Sequence, residues 1–157
     1  MAINTKFEYS IRASRDFVFE WFTDLSPEDT KIAEPLKVRK IISRSSTEIR
    51  LQDVEEMLGR RIKLDVQVLL NRPAYHWTAI YKSDMADARA EYQLSAEAPD
   101  RSGLKYESKL MLKGSFANLL SPFIGLAIKR TFKKELDIFT RAIELDFVDQ
   151  VRKVQQS

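Results

Sequence analysis

The chain has 157 residues, 44% hydrophobic and 31% charged, enough apolar material for one packed core and too much for wholesale disorder. Basic residues number 26 against 23 acidic, and the net charge of +3 is spread along the chain, so charge makes no case for nucleic acid as a partner. The absence of cysteine excludes disulfides, thiolate nucleophiles and cysteine-based zinc sites.

Met1 to Lys6 lacks the apolar run of a signal peptide. The most apolar stretch, Leu119 to Ile128, is broken by Ser121, Pro122 and Gly125 and falls short of the about 20 residues a bilayer needs. A soluble, cytoplasmic protein is expected. Thr5 to Ile11 alternates as a first strand, with Phe7, Tyr9 and Ile11 on one face. Ser14 caps a helix whose buried face is Phe17, Val18, Trp21, Phe22 and Leu25. Ser26-Pro27-Glu28-Asp29 opens a second helix, with a capping serine, proline in the first turn and two acids at the positive end of the dipole; Pro35 keeps it short.

Alternation with period two then runs from about Leu36 to Ser115, cut by turns at Arg44-Ser45-Ser46, Leu58-Gly59, Asn71-Arg72-Pro73, Ser83-Asp84-Met85 and Pro99 to Gly103. Arg61 to Leu70 is the clearest strand, with Ile62, Leu64, Val66 and Val68 set against Lys63, Asp65 and Gln67. Tyr75 to Lys82, Ala88 to Ala96 and Leu104 to Lys113 follow. From Leu119 the period changes. Ile124, Ile128, Phe132, Leu136, Phe139, Ile143 and Phe147 form one stripe on a long helix.

Seven strands, two short helices after the first strand and a long final helix resemble the START-like, or helix-grip (SRPBCC), superfamily, and within it the polyketide cyclase/dehydrase and lipid-transport-like branch. Ser14 to Leu25 carries the resemblance at the front, and Gly114 to Pro122 with Ile128 to Leu145 carries it at the end. It implies an α+β helix-grip fold, a curved seven-stranded antiparallel sheet around the C-terminal helix, over residues 1–150, with a polar tail at 151–157. Geometry agrees. Seven strands about 4.8 Å apart make a sheet roughly 30 Å wide, while a helix is about 10 Å thick, so the sheet must curl and leave a hollow.

If Leu51, Val66, Trp77, Tyr92 and Leu110 point inward, alternation carries Asp53, Tyr75, Tyr81, Tyr106 and Ser108 with them. Each aromatic taken singly fits an ordinary core; together they describe an apolar lining with polar tips. Leu120, Phe123, Ile124 and Ile128 crowd the start of the long helix, where Gly114, Pro122 and Gly125 loosen the backbone. That segment is expected to be the ligand entrance.

Asp53 and Glu55 are the chemically provocative pair, two apart on one strand. Inside a pocket, desolvation and mutual repulsion would raise a pKa and permit proton exchange, with Asp53 as the candidate catalytic acid. A bulge near Val54 or a solvated strand end would turn them outward instead. His76 faces away from its aromatic neighbours, as a surface histidine would, and no G-x-S-x-G elbow, phosphate loop or metal-ligand cluster is present. No cofactor and no metal are indicated. Lys129, Arg130, Lys133 and Lys134, diluted by Glu135 and Asp137, read as a solvated helix face, with transient membrane-surface contact at most.

The expected function is binding or transport of a small hydrophobic molecule, lipid, polyketide or aromatic, by a monomer or weak dimer. The alternative is a polyketide cyclase/dehydratase-type enzyme using pocket Asp and Tyr residues. A protein-interaction module is the third possibility, and no exposed apolar motif supports it.

Overall fold

The computed structural model describes residues 2–57, 59–119 and 122–157. The alternating runs become β1 (Ala2–Ile11), β2 (Leu36–Arg44), β3 (Glu48–Met57), β4 (Arg60–Asn71), β5 (His76–Lys82), β6 (Ala86–Ala98) and β7 (Arg101–Leu112). All pair antiparallel in one sheet of order β1-β7-β6-β5-β4-β3-β2. Between β1 and β2 lie α1 (Arg15–Asp24) and a 3-10 turn over Pro27–Lys31. After β7 come a 3-10 turn over Gly114–Leu119 and α2 (Pro122–Gln156).

The local signals explain these boundaries. Ser14 Oγ accepts from the Phe17 N–H and starts α1. Leu25 ends it in the left-handed region, at φ 49°. Ser26 caps the turn that follows, with Pro27 at its first position. That element winds as 3-10 over five residues, too short to bury a side chain of its own. Between β3 and β4, Gly59 takes φ 75°, which a side chain would strain.

One face of the sheet and one face of α2 enclose the core, and α1 closes the end. Ile143 is fully buried, and Phe17 packs on Phe147 with ring centroids 5.2 Å apart. Polar clamps fix the same half of α2. The Tyr9 hydroxyl donates to Asp137 at 2.8 Å, the Trp21 indole N–H to Asp146 at 2.8 Å, and the Arg12 backbone N–H to Glu144 at 3.1 Å. At its other end α2 leaves Phe123 84% and Leu126 48% exposed. The helix also runs through Gln156, so residues 151–156 continue α2 where the sequence suggests a polar tail.

Candidate functional site: a hollow between sheet and helix

The sheet register creates the hollow. One inner row of side chains crosses β4, β5, β6, β7 and β1 as Leu70, Trp77, Tyr92, Tyr106 and Phe7. Trp77 stacks on Tyr92 at 4.8 Å, and Tyr106 stacks on Phe7 at 6.0 Å. The next row is Val68, Ala79, Ala90, Ser108 and Thr5. Small residues beside an aromatic wall leave volume that α2 does not fill. The result is a cavity of about 150 Å³, walled also by Trp21 and Phe22 of α1 and by Phe132, Leu136 and Phe139 of α2. That volume corresponds to roughly one aromatic ring.

The opposite side of the hollow is charged, and a bulge puts it there. Simple alternation from Leu36 would turn Arg39 outward. The pairing of β2 with β3 slips between Leu36 and Val38, so Leu36 faces Glu55 and Arg39 faces Asp53, all inward. Asp53 is 0% exposed, and both of its oxygens are held, by Arg39 Nε at 2.9 Å and Nη2 at 2.8 Å. Arg39 Nη1 donates to Asp29 at 2.7 Å. Burial opposes the guanidinium's charge, but Asp53 and Asp29 outweigh it and raise its pKa. For Asp29 burial wins over Arg39 and raises the carboxyl pKa.

Two other carboxyls line the hollow with no hydrogen bond or ion pair among the described residues: Glu55 on β3 and Glu135 on α2. Glu55 is pushed up to about 8 by burial, then by the charges of Glu135 and Asp53, with Arg39 opposing. Glu135 is pushed up to about 7 by burial, with Arg39 opposing and Asp53 and Asp29 adding. Burial likewise raises Tyr81 and Tyr92, and takes Tyr106 to about 12, so these phenols stay protonated and serve as hydrogen-bonding groups. Two carboxyls near neutrality beside neutral phenols can hold or release a proton at the hollow's surface.

Leu51, Val66, Trp77, Tyr92, Tyr106 and Ser108 all line the cavity, as do Tyr81 and Leu110. Asp53 shares their face but stays behind Arg39, and Glu55, two residues on, is the carboxyl that reaches the hollow. Tyr75 does not join the row. It sits in the β4–β5 turn at φ 51°, its hydroxyl bonded to Asp16 and its ring beneath Arg15 at 3.8 Å, so strand alternation begins only at His76. His76 is half-buried.

Of the residues expected at the entrance, Phe123, Ile124 and Ile128 do not line the cavity. Phe123 is exposed. Ile124 and Ile128 pack in a cluster with Ile3, Ala86, Leu110 and Leu112, of which Ala86 and Leu110 also line the cavity, and Leu120 lies outside the described residues. From α2 the cavity takes Phe132 and later residues. A groove of about 290 Å³ runs outside it between α2 and residues 33–37. Ala33 and Glu135 line both spaces and partition them. Lys134 reaches Glu34 across this groove at 3.2 Å.

Arg39 and Glu135 are the functional candidates that sequence reasoning passes over. The bulge hides the first. Glu135 looks like part of the charged face because it follows Lys133 and Lys134, yet it lies three residues after Phe132 and four before Phe139, which is the spacing of the buried stripe.

A seven-stranded antiparallel sheet gripping a long C-terminal helix, with a hollow between them, is a helix-grip fold. Solved structures share it closely. The Zhui aromatase/cyclase from Streptomyces sp. R1128 superposes with a TM-score of 0.77 at 12% identity, covering 96% of each chain. A START superfamily protein from Mycobacterium smegmatis gives 0.69 at 14% identity, over 94% of this chain and 98% of that one. Ara h 8.0201 gives 0.69 at 11% identity, over 91% and 98%. At such identities the likeness is one of fold. No protein-family profile matches the sequence, and no curated protein does.

Proposed function

We propose that this protein binds a small, ring-bearing hydrophobic molecule in the hollow between sheet and α2. The observation that carries the reading is the inner-face register, an aromatic row beside a row of small residues, which leaves about 150 Å³ open in an otherwise packed core. The stacked Trp77 and Tyr92 offer a ring-sized apolar face, and the charged side offers groups for one polar end. Solved proteins of this fold include an aromatase/cyclase, in keeping with ring-bearing cargo. Among the described residues no helix is long and apolar enough to cross a membrane.

Both tryptophans of the chain, Trp21 and Trp77, line the hollow, so occupancy is directly readable. Indole-ring, naphthol and phenol probes are expected to quench tryptophan emission saturably and to raise the melting temperature, by about 2.7 kcal/mol of added stability at one hundred times the Kd. A panel that does neither removes the binding reading.

A second reading is favoured by Glu55 and Glu135, whose pKa values near 8 and 7 suit proton transfer at neutral pH. In it the protein acts on the bound molecule as a cyclase or dehydratase, with these carboxyls exchanging the proton and Tyr81, Tyr92 and Tyr106 orienting an oxygen. Replacing either glutamate by glutamine then lowers kcat while the Kd for a ring probe changes little. A parallel loss of affinity alone returns the site to simple binding.

A further inference from the structure

The charges around the hollow are unequal in a way that names a ligand class. Among the described residues lining it, Arg39 is the only basic side chain, against the carboxyls of Asp29, Glu55 and Glu135, with Asp53 directly behind. Arg39 is already engaged through Nε, Nη1 and Nη2 by Asp53 and Asp29. An incoming carboxylate or phosphate would find no unengaged cation and, as Glu55 and Glu135 ionise, would meet their negative charge. Ser108 Oγ, on an inner row of the wall beside the Tyr106 phenol, adds a hydroxyl that can donate to or accept from a ligand's polar end.

We propose that the hollow selects a small ring-bearing amine, bound as its ammonium, with Glu55 and Glu135 as its counter-charges and the Trp77–Tyr92–Tyr106 wall against its ring. The proposal rests on the binding reading above and specifies its ligand. An ammonium carried on an apolar body fits better than a bare cation, because the rest of the lining is aromatic and aliphatic. Its N–H donors match two carboxylates, and such charge-assisted bonds are the strong ones in a desolvated site.

Proton balance gives the proposal a signature that simple apolar binding lacks. Without ligand, Glu55 and Glu135 are pushed up to about 8 and about 7, so at neutral pH Glu55 is mainly and Glu135 partly protonated. The groups facing them in the hollow are Arg39 of β2, Asp53 of β3, Asp29 of the first 3-10 turn, and the phenols of Tyr81, Tyr92 and Tyr106, while on the outer groove Glu135 also borders Glu34, Lys37, Glu56 and Lys134. The phenols remain neutral in this range and Arg39 remains charged. An ammonium arriving at the pair favours their ionised forms, so the carboxyl protons leave to solvent while the amine keeps its own. Binding therefore releases protons and tightens as pH rises from 6 to 8.

The test is calorimetric titration of the intact chain with three isosteres, 2-phenylethylamine, 2-phenylethanol and phenylacetate, at pH 6, 7 and 8 in buffers of different ionisation enthalpy. The expected result is an amine Kd about ten-fold below that of the alcohol, phenylacetate weakest, and buffer-dependent heat showing net proton release for the amine alone. In the Glu55→Gln/Glu135→Gln variant the amine-to-alcohol ratio falls to about one and the proton release disappears. Equal Kd values for amine and alcohol in the wild type, or amine binding without proton release, overturn the proposal and leave the hollow as a binding site. If none of the three binds, the proposal and the binding reading fall together.

Discussion

The two sides of the hollow are built on opposite principles. The side on β5, β6 and β7 is aromatic and small-residue surface in regular register, with Trp77, Tyr92 and Tyr106 as cross-strand neighbours. Its shape follows from alternation alone. The side formed by β2, β3 and the first 3-10 turn depends on a slipped register and on a buried arginine shared by two carboxylates. The regular side supplies volume and is tolerant of change in detail. The irregular side supplies charge and depends on every partner being present, because each buried ion is tolerable only while paired.

That contrast is sharpest in Arg39→Ala. It strands Asp53, fully buried, without a counter-charge, and a loss of about 3–5 kcal/mol of folding stability is expected in chemical denaturation. The double replacement Arg39→Met/Asp53→Leu, which removes both charges, is expected to recover most of it. Equal damage from both variants would mean that packing, rather than the ion pair, holds β2 to β3.

On the regular side the largest effect falls on binding. Ala90→Leu pushes a branched side chain into the small row and is expected to abolish saturable quenching by ring probes. Because it fills existing space, melting should stay unchanged or rise, unlike the loss of about 1–3 kcal/mol that overpacking a filled core brings. Destabilisation with binding intact would show that the volume beside Ala90 is not the volume the ligand uses.

The pH slope tests the charged side without altering its shape. Glu55 and Glu135 bind protons more tightly folded than unfolded, since their folded pKa values lie above the ordinary 4.5. Their contribution to stability is therefore complete below about pH 4.5 and is lost as pH rises through about 7 and 8. Thermal unfolding of the unliganded protein should therefore move to lower temperature as pH rises from 5.5 to 8.5. Glu55→Gln/Glu135→Gln should flatten that slope and be the more stable protein at pH 8.5.

Much of this could be seen before any coordinates. Alternation in Ile62, Leu64, Val66 and Val68, the helical stripe through Leu136 and Ile143, and the caps at Ser14 and Ser26 are local signals, and local signals survive into the fold. The inward direction of Leu51, Trp77, Tyr92 and Tyr106 follows from the same period. What stayed hidden depends on events a period cannot express. A one-residue slip turns Arg39 inward. A left-handed backbone at Tyr75 removes that ring from its row. Glu135 is a charged residue on a buried stripe, and only the cross-sheet partners show why it is tolerated there. Asp53 could be placed on the right face, but its engagement by Arg39 is a contact between strands that the bulge brings into register.

The strand order carries a consequence for how the molecule assembles. From β2 to β7 each strand pairs with its immediate successor in the chain, so that part of the sheet can zip as a series of hairpins, each closing a short loop. The pairing of β1 with β7 is different: Ala2 meets Met111 and Ile11 meets Ser102, across more than half the chain. That closure is the topologically expensive step, and it brings Tyr9, Arg12 and Trp21 to where α2 can be clamped. A nascent chain that has made β2 to β7 thus has a sheet without its lid, an open apolar trough whose β7 edge awaits β1.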